Sequence, residues 1–192
     1  MEKWKVGVVM VVVGGLVGYG AWQRQQSRLP AEQTIKQFVG KPLPSWNIPA
    51  NYWINTKRAL EPNDFKGNVT LVEFFLIRCP HCQEASPQFK KLLTQYGSRG
   101  FKVVAIHSPG RDPVENNWAG VKTELQKTWK VSYPVAFDQN RQLFKGAYQG
   151  KTYPSVFVLD RQGVVRYANT GYDAERAKQL EDAIKEELAK TG

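Results

Sequence analysis

Cysteine is scarce in this chain of 192 residues, which contains only Cys79 and Cys82, separated by two residues. With no third cysteine, a scaffold held together by structural disulfides is excluded. Histidine is equally rare, and His81 lies between the two cysteines, where its ring cannot easily join them around one ion, so a four-ligand zinc site is disfavoured. We therefore expect no resident metal or cofactor. The close pair favours redox chemistry, with copper binding through its two soft thiolates as an alternative.

The sequence also lacks internal repeats, low-complexity tracts and a clustered basic stripe. Its formal net charge is +10, but the lysines and arginines are spread along the chain, for example at Lys57-Arg58 and Lys90-Lys91. Such a distribution is typical of a solvated basic surface, and without a nucleic-acid-binding motif it argues against nucleic acid as a partner. A hydrophobic fraction of 42% and an aromatic fraction of 12% predict a packed globular core.

One long apolar run lies near the amino terminus, at residues 6–22, with Lys3 and Lys5 before it. Trp4 and Trp22 bracket this run, as interfacial aromatic residues bracket a membrane span. A helix between the two tryptophans would be about 27 Å long, close to the ~30 Å hydrocarbon core of a bilayer. We expect an uncleaved single-pass anchor in the cell membrane, with a cleaved signal peptide as the alternative. Either one places the rest of the chain outside the cytoplasm, in the periplasm or on the outer face.

The chain therefore divides into three predicted parts. Residues 1–28 form the membrane anchor and its flanks, residues 29–41 form a tether, and residues 42–192 form one globular domain. Alternating strand and helix patterns in that domain predict an α/β fold, with a mixed central sheet flanked by helices. The last two strands are joined by a tight turn, which makes them antiparallel. The predicted strands are Val69–Phe75 and residues 101–106, 156–160 and 164–168, and the predicted helices are Pro80–Tyr96, residues 115–129 and a final helix capped by Asp173.

The cysteine pair falls where the first predicted strand ends and its helix begins. The sulfur of Cys79 then faces the free N–H groups and the positive dipole end of that helix, which favour thiolate over thiol. Arg78 and His81 add positive charge or hydrogen bonds nearby, and Pro80 suits the first helical position because it has no N–H to lose. We therefore predict a pKa for Cys79 below the ~8.5 of free cysteine. Cys79 is expected to attack a substrate disulfide, and Cys82, one turn inward, to resolve the mixed disulfide.

Two further residues are candidates for the catalytic site. Glu73 stands in the middle of the apolar strand Val69–Phe75, where a buried carboxylate is costly unless it is used. It is a candidate proton acceptor for Cys82, and a carboxylate turned outward at the edge of the sheet is the alternative. Pro154 opens a predicted strand, a position that tolerates proline, and a cis bond between Tyr153 and Pro154 would leave nearby backbone free to pair with substrate.

Three segments together carry a family resemblance. Residues 71–75, Leu-Val-Glu-Phe-Phe, followed by the C-P-H-C motif and by Pro87, closely resemble the active-site strand and helix of thioredoxins. Residues 153–160, Tyr-Pro-Ser-Val-Phe-Val-Leu-Asp, with Gly163 after them, are similar to the cis-proline strand and hairpin of that superfamily. The segment 101–138 resembles the extra αβ insertion of its TlpA/ResA-like, or redoxin, branch.

The resemblance covers about residues 42–190 and implies a thioredoxin fold. It implies that Glu73 is the buried acid of the family and that Pro154 is its cis-proline. It also implies a membrane tether and extracytoplasmic disulfide exchange with protein substrates, with the reduction of apocytochrome c during cytochrome c biogenesis as a family expectation. A membrane redox partner that recycles the cysteine pair is expected as well.

The direction of electron flow stays open at this point. Arg78 stands where relatives usually carry Trp or another bulky residue, and the dipeptide Pro80-His81 is more typical of DsbA-type oxidases. The large helical insertion of DsbA is absent, since only about 70 residues separate Cys82 from Pro154. We therefore expect a reductase of the TlpA/ResA type and keep a DsbA-like oxidase as the alternative. A peroxiredoxin fits less well, because the stretch before the pair lacks the Thr and Pro that activate peroxide.

Overall fold

A six-stranded mixed sheet forms the centre of the computed structural model, which describes residues 30–190. The order of the strands across the sheet is β1-β4-β3-β2-β5-β6. The strands are β1 (Trp53–Ile54), β2 (Val69–Phe75), β3 (Phe101–His107), β4 (Val135–Phe137), β5 (Ser155–Leu159) and β6 (Val165–Thr170). The helices are α1 (Ala31–Lys36), α2 (Pro80–Tyr96), α3 (Pro113–Asn116), α4 (Trp118–Lys127) and α5 (Ala174–Ala189).

The direction of the strands brings several strand ends to one edge of the sheet. Strands β2, β3 and β4 are parallel, whereas β5 runs antiparallel to β2, and β6 runs antiparallel to β5. The carboxyl ends of β2, β3 and β4 therefore meet the amino end of β5 at a common edge, called the site edge below. Ligand and reaction sites of open α/β sheets form at such an edge.

Apolar side chains cover both faces of the sheet. On one face, helices α2 and α5 pack side chains such as Phe89 and Ile184 against β2 and its neighbours. On the other face, α1 and the segment after β4 supply Ile35 and Tyr148. Because both faces are covered, all residues of β2 are buried, which explains why its sequence reads as a continuous apolar run.

Much of the predicted pattern is confirmed by the structure. Strand β2 and helix α2 occupy the predicted residues, and Pro87 lies inside α2. The two strands after Pro154 form an antiparallel hairpin, as predicted from the length of their turn. Asp173 caps α5, and its side chain accepts the N–H of Arg176. The predicted α/β fold with a mixed sheet flanked by helices is therefore correct for this part of the chain.

The ends of β3, β5 and β6 differ from the predicted ends by one or two residues, and two larger features also differ. The single helix predicted at residues 115–129 is divided into α3 and α4, because Asn117 leaves helical geometry and its side chain accepts the N–H of Gly120. This is an N-cap interaction that begins a new helix. The short strands β1 and β4 were not among the predicted strands, and each is defined by its pairing with a neighbour more than by its own sequence.

The predicted membrane span at residues 6–22 lies outside the described residues. The predicted tether is described from Pro30 onwards and includes α1, which packs onto the sheet through Ile35. Between residues 30 and 190, no helix combines the length and the apolar character needed to cross a bilayer.

Candidate active site

The two cysteines occupy the first turn of α2, at the site edge. Cys79 is the N-cap residue of the helix, Pro80 is its first residue, and the backbone N–H of Cys82 donates to the carbonyl oxygen of Cys79 over 3.1 Å. Both cysteines are present as free thiols, and Cys79 is partly exposed whereas Cys82 is buried. The predicted division into an accessible outer sulfur and an inner sulfur therefore matches the geometry.

Hydrogen bonds at the helix start stabilise a negative charge on Cys79. The thiol of Cys82 is the largest contributor, followed by the backbone N–H groups of Cys82 and His81, and the charge of His81 contributes least. Partial burial opposes these effects, but the net result lowers the pKa of Cys79 to about 6. At neutral pH the outer sulfur is therefore mostly thiolate, the form that attacks disulfides.

Cys82 has the opposite environment. Burial first, then its hydrogen bond to Cys79 and the nearby charge of Glu73, raise the pKa of Cys82 far above that of an ordinary cysteine. The inner sulfur therefore stays a neutral thiol while Cys79 is charged. Because only the thiolate reacts, Cys82 needs a group that takes its proton before it can attack.

Glu73 is the buried acid of the site. It lies in the central strand β2, is 1% exposed, and is flanked across the sheet by Ala105 and Val156. This position rules out a carboxylate turned outward at a sheet edge. Among residues 30–190, no side chain or backbone group is hydrogen-bonded to Oε1 of Glu73. Burial, and then the charge of Cys79, raise the pKa of Glu73 well above its ordinary value.

Pro154 brings the start of β5 to the redox pair. The Tyr153–Pro154 peptide bond is cis, and Pro154 is buried. The carbonyl oxygen of Tyr153 lies 3.8 Å from Sγ of Cys79. The structure thus places the backbone of Tyr153 beside the outer sulfur, and its bond to Pro154 has the cis geometry that the family resemblance implied.

The three residues around the cysteines differ in what they contribute. Pro80 opens α2, and His81 donates its backbone N–H to the sulfur of Cys79 while its exposed ring lies 3.4 Å from Glu84. Arg78 is exposed and is not among the groups that lower the pKa of Cys79. A role for Arg78 in tuning that sulfur therefore stays a prediction without support from this geometry.

A hydrogen-bond network behind Tyr153 is absent from the sequence-based candidates. The hydroxyl of Tyr153 donates to the carbonyl oxygen of Ser108 over 2.9 Å, and the hydroxyl of Ser108 donates to Oδ2 of Asp138 over 2.6 Å. Asp138 also accepts the backbone N–H groups of Leu143 and Phe144. One sequence signal points to this network: Ser108 and Asp138 are polar residues that directly follow parallel strands, the positions at which α/β sites are built.

His107 is the last residue of β3 and is fully buried. Its Nε2 lies 2.9 Å from the carbonyl oxygen of Glu115, and burial lowers the pKa of His107 to about 4. This neutral ring holds the segment after β3 in place. In the part of the chain from residue 30 to residue 190, no three histidine, cysteine or carboxylate side chains are grouped to hold a metal ion.

Comparison with known proteins agrees with this geometry. The model of the Redoxin family matches residues 38–184, which include both cysteines, Glu73 and Pro154. The chain belongs to the Redoxin family. It is a thiol-disulfide oxidoreductase of the ResA/TlpA type, with Cys79 and Cys82 as its cysteine pair.

Individual relatives of this Redoxin-family chain are distant in sequence but match most of its length. The thioredoxin-like protein YneN of Bacillus subtilis is 24% identical over 171 residues, covering 89% of this chain and 91% of YneN. The thiol-disulfide oxidoreductase ResA of Bacillus cereus is 24% identical over 178 residues, covering 93% of this chain and 92% of ResA. A crystal structure of a putative thiol:disulfide interchange protein DsbE from Chlorobium tepidum superposes with a TM-score of 0.66 at 23% identity, covering 79% and 98% of the two chains.

A titration of Cys79 tests the order of the groups that stabilise its thiolate. Followed by the ultraviolet absorbance of the thiolate, the wild-type midpoint is expected near pH 6. Cys82→Ala removes the largest stabilising group, so its midpoint should rise by about one pH unit. His81→Ala should raise the midpoint less, and Thr94→Ala, far along α2, should leave it unchanged. A larger rise in His81→Ala than in Cys82→Ala contradicts this order.

The burial of Glu73 predicts a pH-dependent stability. Because burial raises the pKa of Glu73, the folded protein retains a proton that the unfolded chain releases above its ordinary pKa of 4.5. Stability is therefore lost as the pH rises from that value towards the pKa of the folded state. In urea denaturation of the reduced protein, Glu73→Gln should raise the free energy of unfolding by about 1–3 kcal/mol at about pH 8, and by nearly nothing at about pH 4.

The exposed Glu175→Gln is the matched control, and it should change the free energy of unfolding by less than about 0.5 kcal/mol at either pH. An equal gain for Glu73→Gln at both pH values would show that packing, and not the charge of the carboxylate, is responsible.

Proposed function

We propose that this protein is a membrane-anchored, extracytoplasmic reductase that transfers electrons from Cys79 and Cys82 to disulfides of other proteins. The observation that carries the proposal is the contrast within the pair: a partly exposed sulfur with a pKa of about 6 beside a buried thiol. Such a pair attacks with one sulfur and releases the product with the other. The thiol-disulfide oxidoreductase ResA aligns along nearly the whole chain and supports protein disulfides as the substrate class.

The reaction exchanges two electrons in two steps. The thiolate of Cys79 attacks one sulfur of the substrate disulfide; a mixed disulfide forms, and the other substrate sulfur leaves as a thiolate. Cys82 then loses its proton and attacks Sγ of Cys79, which breaks the mixed disulfide and releases the second substrate sulfur. The substrate has gained two electrons and the cysteine pair has lost two. A dithiol partner at the membrane is proposed to reduce the pair again.

Glu73 is proposed to take the proton of Cys82 in the second step. Its carboxylate lies on the face of the sheet that packs against α2, and its charge is close enough to raise the pKa of Cys82. A carboxylate with a raised pKa is suited to accept a proton near neutral pH. Pro154 and the carbonyl oxygen of Tyr153, 3.8 Å from Sγ of Cys79, are proposed to align the substrate backbone beside the attacking sulfur.

The pKa of Cys79 favours a reductase over an oxidase. At pH 7 a thiol with a pKa of about 6 gains at most about 1.4 kcal/mol relative to an ordinary cysteine, because solvent screens part of the charge on a half-buried sulfur. For two electrons this equals about 30 mV. The roughly −270 mV of thioredoxin already includes part of this gain, because its attacking cysteine has a pKa of about 7. From that value the potential therefore rises by less than about 30 mV and stays well below the roughly −120 mV of DsbA.

The location rests on the amino-terminal sequence. Residues 1–28 are proposed as a membrane anchor with its flanks, residues 29–41 as a tether and residues 42–192 as the catalytic domain. The apolar run at residues 6–22 is long enough to span a bilayer and is bracketed by Trp4 and Trp22. A membrane redox partner fits this arrangement, because the anchor would hold the pair close to the membrane surface.

The reduction potential tests the proposed direction. Equilibrated with glutathione or thioredoxin buffers, the pair should titrate between about −270 and −210 mV. The Cys79→Ser variant should reduce insulin at least about 100-fold more slowly than wild type, and Cys82→Ser should accumulate a mixed disulfide with the substrate. A potential near −120 mV would instead support the oxidase that the Pro80-His81 dipeptide favours, and equal insulin reduction by Cys79→Ser would refute both.

Fractionation of cells that produce the full chain tests the location. The protein is expected in the membrane fraction, and protease added to spheroplasts should digest its catalytic domain. Removal of residues 1–28 should release it from that fraction. A soluble periplasmic product that begins near residue 20 would identify a cleaved signal peptide, and a protease-protected domain in intact spheroplasts would rule out an extracytoplasmic site.

A further inference from the structure

Three cationic side chains follow β4 at the site edge: Arg141, Lys145 and Lys151, called the basic cluster below. Nζ of Lys145 donates over 2.7 Å to the carbonyl oxygen of Gly150, the residue before Lys151, which brings these two cations together. Partial burial first, and then the charges of Arg141 and Lys151, lower the pKa of Lys145. Lys145 is nevertheless an exposed residue. The cluster is therefore a fixed patch of positive charge.

A stack of aromatic rings connects the basic cluster to the redox pair. Nζ of Lys145 lies 5.5 Å from the ring centre of Phe144, and the rings of Phe144 and Tyr153 stack with centres 4.4 Å apart. The carbonyl oxygen of Tyr153 is in turn 3.8 Å from Sγ of Cys79. The charge of Arg141 also reaches Tyr153, whose pKa it lowers against the dominant effect of burial. Two stacked rings and the backbone of Tyr153 thus lie between the basic cluster and Cys79.

The oxygens of Asp138, the acidic neighbour of the cluster, are hydrogen-bonded to other groups. Asp138 is buried, and its oxygens accept hydrogen bonds from the hydroxyl of Ser108 and from the backbone N–H groups of Leu143 and Phe144. Within residues 30–190, neither Arg141 nor Lys145 forms an ion pair. The carboxylate of Asp138 is thus hydrogen-bonded to the backbone of the segment that contains Arg141 and Lys145.

The backbone of this segment is held in an unfavourable conformation. Asn140, Arg141 and Gln149 all have left-handed φ values, of 60°, 58° and 51°, although none of them is glycine. Such conformations persist where surrounding contacts enforce them, and they are concentrated at functional sites. Here the hydrogen bonds of Asp138 enforce the turn, which fixes the direction in which Arg141 leaves the backbone.

We propose that the basic cluster docks an acidic segment of the substrate protein next to the disulfide that Cys79 attacks. The inference rests on the proposed function, because it assigns a class of substrate to the same site. A polypeptide is favoured over an anionic membrane surface, since a membrane bound at this edge would cover Cys79. Complementary charges at the rim of an interface accelerate the encounter of two proteins and select between partners.

A charge series of peptide substrates tests this proposal. Three peptides contain the same disulfide and differ only in flanking residues, which are acidic, neutral or basic. The second-order rate constant for their reduction by the reduced full chain is measured at low salt. Wild type should reduce the acidic peptide about fivefold faster than the neutral one, and the basic peptide more slowly than the neutral one. About 0.5 M salt should remove most of this difference.

Two variants that each lose two positive charges locate the effect. In Arg141→Gln/Lys145→Gln the ratio of the acidic to the neutral rate should fall to about one. In the control Arg99→Gln/Lys102→Gln, whose exposed residues lie at the other end of β3, the wild-type ratio should be kept. The ratio, and not the rate, is the decisive measurement, because a disturbed fold slows all three peptides alike.

The outcomes separate this inference from the proposed function. Equal rates for the three peptides in wild type, or an unchanged ratio in Arg141→Gln/Lys145→Gln, overturn the docking proposal while disulfide reduction stands. Binding to anionic vesicles that depends on the cluster, without discrimination among the peptides, overturns it in favour of a membrane contact. Reduction of no peptide above the level of Cys79→Ser shows that the proposed function itself is wrong.

Discussion

A single negative charge on Cys79, held at the first turn of α2, is the interaction on which the rest of the site depends. The thiol of Cys82 and two backbone N–H groups stabilise it, and none of them is available unless the helix begins at Pro80. The start of the helix is fixed in turn by β2, whose fully buried strand ends just before the cysteines. The core of the protein thus positions its reactive sulfur.

Burial raises the pKa of Cys79 and of both its neighbours, but only at Cys79 do hydrogen bonds outweigh it. Cys79 is reached by solvent and by the N–H groups of the helix, so it ionises below neutral pH. Cys82 and Glu73 lie behind it in the core, where burial favours their neutral forms. The site therefore has one charged group at its surface, Cys79, and two neutral ionisable groups beneath it, Cys82 and Glu73. This difference distinguishes the attacking sulfur from the resolving one.

The features of the fold and the site that could be predicted from the sequence are those determined by neighbouring residues. The strand Val69–Phe75 and the helix after it have strong local signals, a continuous apolar run and a proline at the first helical position, and both were predicted to the residue. The pairing of β1 with β4, and the hydrogen bonds that join Tyr153 to Asp138 through Ser108, arise from contacts between distant segments. The spacing of residues along the chain does not predict such long-range contacts.

The coupling among Cys79, Cys82 and Glu73 explains how one arrangement serves both steps of the proposed reaction. Burial first, and then the charge of Cys79 while it is a thiolate, raise the pKa of Glu73. When Cys79 enters a mixed disulfide, this charge disappears, so the pKa of Glu73 falls. Glu73 becomes a stronger candidate to be ionised at the moment when Cys82 must lose its proton. In the proposed reaction, the first bond formed would therefore make Glu73 a better proton acceptor for the second step.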